Sequence, residues 1–152
     1  MKEELYNNFP IYKNMFDIEA DSLLESLEFV GSPCPPRYWM KMPYAGILIA
    51  NKFGVIFHCL SMRESTTFFP LWNCPEEFQH HRVVTIAHVN NGTHFVAVKL
   101  QGDYPMPPTT PFWHESNISD SAATWKTIYM SRLQQFTQFS PRKTGFGGDI
   151  SD

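Results

Sequence analysis

The chain reads as an α+β domain, a mixed β-sheet flanked by helices, on three observations. Apolar residues recur at helical spacing near both ends: Leu23, Leu24, Leu27 and Val30 early, and Ala122, Trp125, Tyr129, Leu133 and Phe136 late. Val55-Ile56-Phe57-His58-Cys59-Leu60 is a largely apolar run between Gly54 and Ser61, as expected of a central strand buried on both faces. Asn91-Gly92 then divides two β-rich segments, and this pair tolerates the positive φ that a type I′ hairpin turn needs. The order helix, helix, strand, strand, hairpin, helix calls for a mixed sheet.

Taken in order, Met1-Lys2-Glu3-Glu4-Leu5-Tyr6 has the composition of a helix interior with no cap ahead of it. Pro10 interrupts, and Ile11–Phe16 continues as an apolar helical stretch. Asp17 is placed to cap a helix over 18–30. Gly31-Ser32-Pro33-Cys34-Pro35-Pro36 cannot continue that helix and forms a connector. Pro43 suits the first turn of a short helix over 44–52. Thr66–Leu71 is a second strand, with Pro70 near its end, and 73–80 is a polar loop. The hairpin occupies 83–89 and 93–100. Four prolines between Gly102 and Trp113 exclude regular structure there, and Ser119 heads a long helix to about Phe139. One domain thus covers 1–139, and 140–152, without an apolar pattern, is expected to be a disordered tail.

Composition narrows the function. With 152 residues, 43% hydrophobic and 15% aromatic, the chain is long and apolar enough for one packed core. Net charge is −3 with Lys and Arg scattered, so there is no footprint for nucleic acid. No run approaches the ~18 apolar residues of a membrane span, so no membrane partner is expected. Three cysteines at irregular spacing, Cys34, Cys59 and Cys74, suggest free thiols and an intracellular, cytoplasmic or nuclear, location. No glycine-rich phosphate loop and no paired metal-ligand spacing is present, so no cofactor and no metal is expected.

His94 is the candidate catalytic residue. It opens the second hairpin strand and shares a face with Val96, Val98 and Leu100, while Phe95, Ala97 and Lys99 point the other way. A histidine at a sheet end can exchange protons near neutral pH. His88 falls opposite Phe95 if the turn centres on Asn91-Gly92, and so faces away from His94. His114, after the proline segment, has no visible partner. Cys74, His80 and His81 are near one another in sequence and His58-Cys59 lies on a strand, but neither set has zinc-type spacing.

Several strings carry a resemblance: Tyr38-Trp39-Met40-Lys41-Met42-Pro43, Ile47–Val55, Thr66–Leu71, His94-Phe95-Val96-Ala97-Val98, Pro105–Thr110, and Trp113-His114 followed by a helix with Trp125 and Tyr129. In order and spacing they resemble the C-terminal part of ovarian-tumour (OTU) domains, papain-like cysteine proteases that cleave ubiquitin from proteins. The nearest kind is the OTU-like domain of plant and fungal, often transposon-associated, proteins. The resemblance spans about residues 2–139. It implies a papain-like architecture, thiol-dependent isopeptide hydrolysis, ubiquitin or a ubiquitinated protein as partner, and His94, followed by Phe95, as general base.

The family nucleophile lies in an Asp-Gly-x-Cys-like motif that opens a helix, and this chain contains no such motif. The orienting acid some members carry two positions after the histidine is Val96 here. The implied reading is an N-terminally truncated deubiquitinase domain, inactive alone. Its alternative is a catalytically dead ubiquitin-binding or scaffold module. Truncation would also leave apolar surface uncovered beside the 54–60 strand and the first helix.

Overall fold

A computed structural model describes residues 1–76, 80–89, 93–115 and 118–139. The Asn91-Gly92 turn and the 140–152 segment lie outside the described residues. The helices α1 (Lys2–Asn7), α2 (Phe9–Phe16) and α3 (Ile18–Glu28) form an N-terminal cluster that buries Leu5, Tyr12, Phe16, Ala20 and Leu23. Pro10 sits in the first turn of α2, where its missing N–H costs nothing, and the break falls instead at Asn8.

Two expectations about α3 need correction. Asp17 makes no side-chain cap bond: its φ of 52° and ψ of −127° turn the chain between α2 and α3. Val30 is not part of the apolar face, because α3 ends at Glu28 and Phe29 is extended, which leaves Val30 96% exposed.

After a 3₁₀ turn at Pro36–Tyr38, α4 (Tyr44–Phe53) buries Ala45, Gly46, Ile47, Leu48, Ala50 and Asn51. It stops at Gly54, whose φ of 57° is the left-handed conformation that glycine adopts without a Cβ penalty; its N–H bonds the Ala50 carbonyl.

The sheet contains β1 (Ile56–Ser61), β2 (Thr66–Phe68), β3 (Val83–Val89) and β4 (His94–Val98), in the order β2-β1-β3-β4. β1 runs antiparallel to β2 and parallel to β3, and β3 runs antiparallel to β4, so the sheet is mixed as expected. Burial from Ile56 to Cys59 is continuous, in keeping with a strand covered on both faces. The hairpin register pairs Val89 with His94 and His88 with Phe95, the register expected of a turn centred on Asn91-Gly92.

Residues paired across strands share a face. One face therefore carries Phe57, Phe68, Val84 and Ile86 towards α4, and the other carries His58, Thr67 and Thr85. Past β2 the chain returns along that strand's outer edge: the Thr67 N–H donates to the Pro108 carbonyl at 2.9 Å, and Thr67 bridges to Thr109. The proline segment is irregular only to Thr110, because Pro111 opens a short helix, α5 (Pro111–Glu115).

The long C-terminal helix is in fact a turn followed by α6 (Thr124–Ile128) and α7 (Met130–Phe139). Ser119 caps the turn, its Oγ accepting the Ala122 N–H at 3.1 Å. The break falls at Tyr129, whose ring stacks on Phe69 and whose hydroxyl meets His81. Ala122 and Trp125 are buried as their spacing predicts.

Candidate functional site

His94 is the first residue of β4 and exposed, with its Nδ1 2.9 Å from Thr93 Oγ1. Pairing with Val89 puts it at the far end of β3 from Arg82, roughly 20 Å of strand away at ~3.3 Å per residue. The face it shares is more open than its apolar composition suggests, since Val96 is 45% exposed at the sheet's outer strand. His88 lies on the opposite face, its ring stacked on Phe95 at 4.3 Å between centroids.

The thiols sit elsewhere, and all three are free. Cys59 is buried in β1 on the Phe57 face, opposite to that of His94, and burial raises its pKa. Cys34 is exposed beside the 3₁₀ turn, its Sγ directed at the Pro35 carbonyl. Cys74 lies near the start of β3, its Sγ 3.5 Å from the Pro75 carbonyl and 4.0 Å from Thr124 Oγ1. Among the described residues no cysteine sulfur hydrogen-bonds an imidazole. A thiolate–imidazole pair is the recognisable core of nucleophilic cysteine catalysis, and it is not assembled here.

No family model, no curated protein and no solved structure matches the chain.

The strongest polar network is one the sequence did not disclose. His58 is fully buried, with Nδ1 3.0 Å from Thr67 Oγ1 and Nε2 2.9 Å from the Tyr104 hydroxyl. Thr67 Oγ1 donates to the Pro107 carbonyl at 2.6 Å, so its lone pair receives the Nδ1–H of His58 and Nε2 accepts from Tyr104. Burial, and then the Arg132 guanidinium, lower the His58 pKa to about 4. Arg132 donates Nε–H to the Tyr104 carbonyl at 2.9 Å and stacks over the Tyr104 ring; its Nη2 is buried without a partner among the described residues. A histidine held neutral and fully enclosed is a structural tie.

His81 is also a tie. It donates Nε2–H to the Glu76 carbonyl at 2.9 Å, while its Nδ1 lies 2.6 Å from the Tyr129 hydroxyl. It faces a cleft of about 610 Å³ bordered by Trp72, Cys74, His80, Arg82 and Trp125. Among the described residues no group of three His, Cys, Asp or Glu converges to hold a metal ion.

Two surface features complete the picture. A groove of about 390 Å³ runs between Met1, Met40, Ile49, Phe53, Val55 and the sheet residues Phe57, Val84 and Ile86, with Arg82 at its rim. It lies beside β1 and the start of α1. On the other side, His114 does have partners: Thr109 Oγ1 at 3.0 Å and Lys126 Nζ at 3.4 Å from its Nε2. Thr109 lies just ahead of α5, which carries His114, and Lys126 comes from α6, twelve residues further on. No helix among the described residues is long and apolar enough to cross a membrane.

Proposed function

We propose that these residues form the histidine-bearing part of a papain-like, OTU-like thiol isopeptidase, with ubiquitin or a ubiquitinated protein as partner, and that they do not complete hydrolysis alone. The observation that carries the reading is the position of His94, exposed at the start of β4 on a mixed sheet, with each thiol engaged elsewhere. In the complete cycle a thiolate attacks the isopeptide carbonyl, the imidazole having taken its proton. His94 then returns that proton to the leaving lysine amine, and water, deprotonated by His94, releases the acyl group. The groove beside β1 supports the reading, since it is the surface that a preceding helical segment would cover.

The test is paired. Purified 1–152 should neither cleave ubiquitin chains nor label with a thiol-reactive ubiquitin probe. A longer form of the chain supplying Asp-Gly-x-Cys should do both, and His94→Ala in that form should abolish turnover. Labelling of the 152-residue chain itself, lost on mutating Cys34 or Cys74, would overturn the proposal. That no cysteine sulfur pairs with an imidazole among the described residues suits a second reading, a catalytically dead ubiquitin-binding or scaffold module; ubiquitin binding without turnover in the longer form would select it.

A further inference from the structure

Thr109, His114 and Lys126 come together at one imidazole nitrogen, at the head of a groove of about 400 Å³. Gln134 adds an amide to this polar head, while Pro108, Met130 and Leu133 form an apolar wall. Met130 is 45% exposed, an apolar side chain left facing solvent on that wall. The volume falls within the ~300–1,000 Å³ of small-molecule sites, which combine apolar walls with a few convergent polar groups.

Lys126, like Lys99, makes no ion pair with an acid among the described residues. Its ammonium instead approaches His114 Nε2, and an ammonium has only donors, so the nitrogen must present its lone pair. Thr109 Oγ1 approaches the same atom. Two donors thus share one weak acceptor, where an anion would serve both better. Burial and then the Lys126 charge lower the His114 pKa. Among the described groups Lys126 is the charge acting on this ring; the side chain of Glu115 lies outside them.

We propose that this cluster binds the carboxylate of an apolar ligand. Lys126 supplies the charge, the Thr109 hydroxyl and the His114 ring supply hydrogen bonds, and the Pro108–Met130–Leu133 wall takes the tail. A carboxylate on an apolar tail uses both the ammonium and the wall, whereas a bare inorganic ion has no use for the wall. A bound carboxylate stabilises imidazolium, so His114 gains a proton as the ligand enters. Affinity is therefore higher on the acid side of the ring's titration than on its neutral side. The carboxylate has two natural sources, a free alkanoic acid or a peptide C-terminus ending in an apolar residue. The site is separate from His94 and does not depend on the reading above.

The test uses octanoate and an N-acetylated dipeptide acid ending in leucine, with methyl octanoate and inorganic phosphate as comparisons. Binding is followed by calorimetry and by the His114 ring resonances. Saturable binding of either carboxylate, weakened about tenfold or more by Lys126→Ala and within about threefold of the parent in Lys126→Arg, supports the proposal. Which acid binds tighter identifies the source. Thermal unfolding of Lys126→Ala within a few degrees of the parent shows that the fold is kept. Equal binding of methyl octanoate, phosphate binding tighter than both acids, no effect of Lys126→Ala, or no binding of either acid would each overturn it.

Discussion

The Nε2 atom of His58 lies 2.9 Å from the Tyr104 hydroxyl, which ties the central strand to the irregular segment 46 residues later. Because the native imidazole has a pKa of about 4 and the unfolded one about 6.5, the unfolded chain binds the extra proton between those values. Stability from this site is complete above about pH 6.5 and declines as pH falls towards about 4, by up to about 3 kcal/mol. Urea midpoints of the parent and His58→Gln, compared across that range, should converge as pH falls. Parallel profiles would show that the ring is not held neutral.

Asn51 is the second tie, and it is 5% exposed. Its Nδ2 donates to the Tyr12 hydroxyl at 2.9 Å, and its Oδ1 accepts the Leu71 N–H at 2.7 Å. Asn51→Leu keeps the volume but leaves the Leu71 N–H and the Tyr12 hydroxyl each short of a partner. The cost should be about 2–4 kcal/mol by denaturant unfolding. A cost below about 1 kcal/mol would mean that water replaces the amide.

The parts legible in the sequence were those with strong local signals. The β1 run, the α4 helix ended by Gly54 and the hairpin register each follow from neighbouring residues, and each stands in the structure. The illegible parts depend on distant contacts. Tyr129 keeps the helical spacing but breaks the helix where Phe69 and His81 engage its ring and hydroxyl. Val30 follows the apolar period of α3 but falls beyond the helix end. His58 read as one more position in an apolar strand, because its partners Thr67 and Tyr104 arrive from β2 and the proline segment. His94 was placed by the hairpin; whatever completes a site around it is not written in its neighbours.

Gly46 sets two effects against each other. Alanine within a helix is normally favoured over glycine by about 0.5–1 kcal/mol. At Gly46, however, an added Cβ meets three atoms of the Phe68 ring at 2.6, 2.6 and 2.8 Å. Phe68 is 1% exposed and its ring also packs against Phe57, so it has little room to retreat. Overpacking should win, and Gly46→Ala should lower stability by about 1–3 kcal/mol net. The double change Gly46→Ala with Phe68→Leu should recover part of the loss; a stabilising single substitution would mean that the ring moves freely.

The cost of placing a charge in the apolar groove depends on what covers it. Val84 is 41% exposed and lines the groove from β3, whereas Phe57, its cross-strand partner on β1, is 1% exposed. Truncating Phe57 to alanine opens a core cavity and should cost about 3–5 kcal/mol. Val84→Lys instead keeps its ammonium in solvent and its stem along the wall, so 1–152 should lose no more than about 1 kcal/mol. It should also bind less of a dye that reports exposed apolar surface, and stay monodisperse at higher concentration. In a longer form whose preceding segment covers this groove, the same lysine is buried without a partner, and the loss should rise to several kcal/mol. Thermal and urea unfolding of Val84→Lys in both lengths therefore reads out the cover directly: equal, small losses in both would show that nothing in the longer chain packs on Val84.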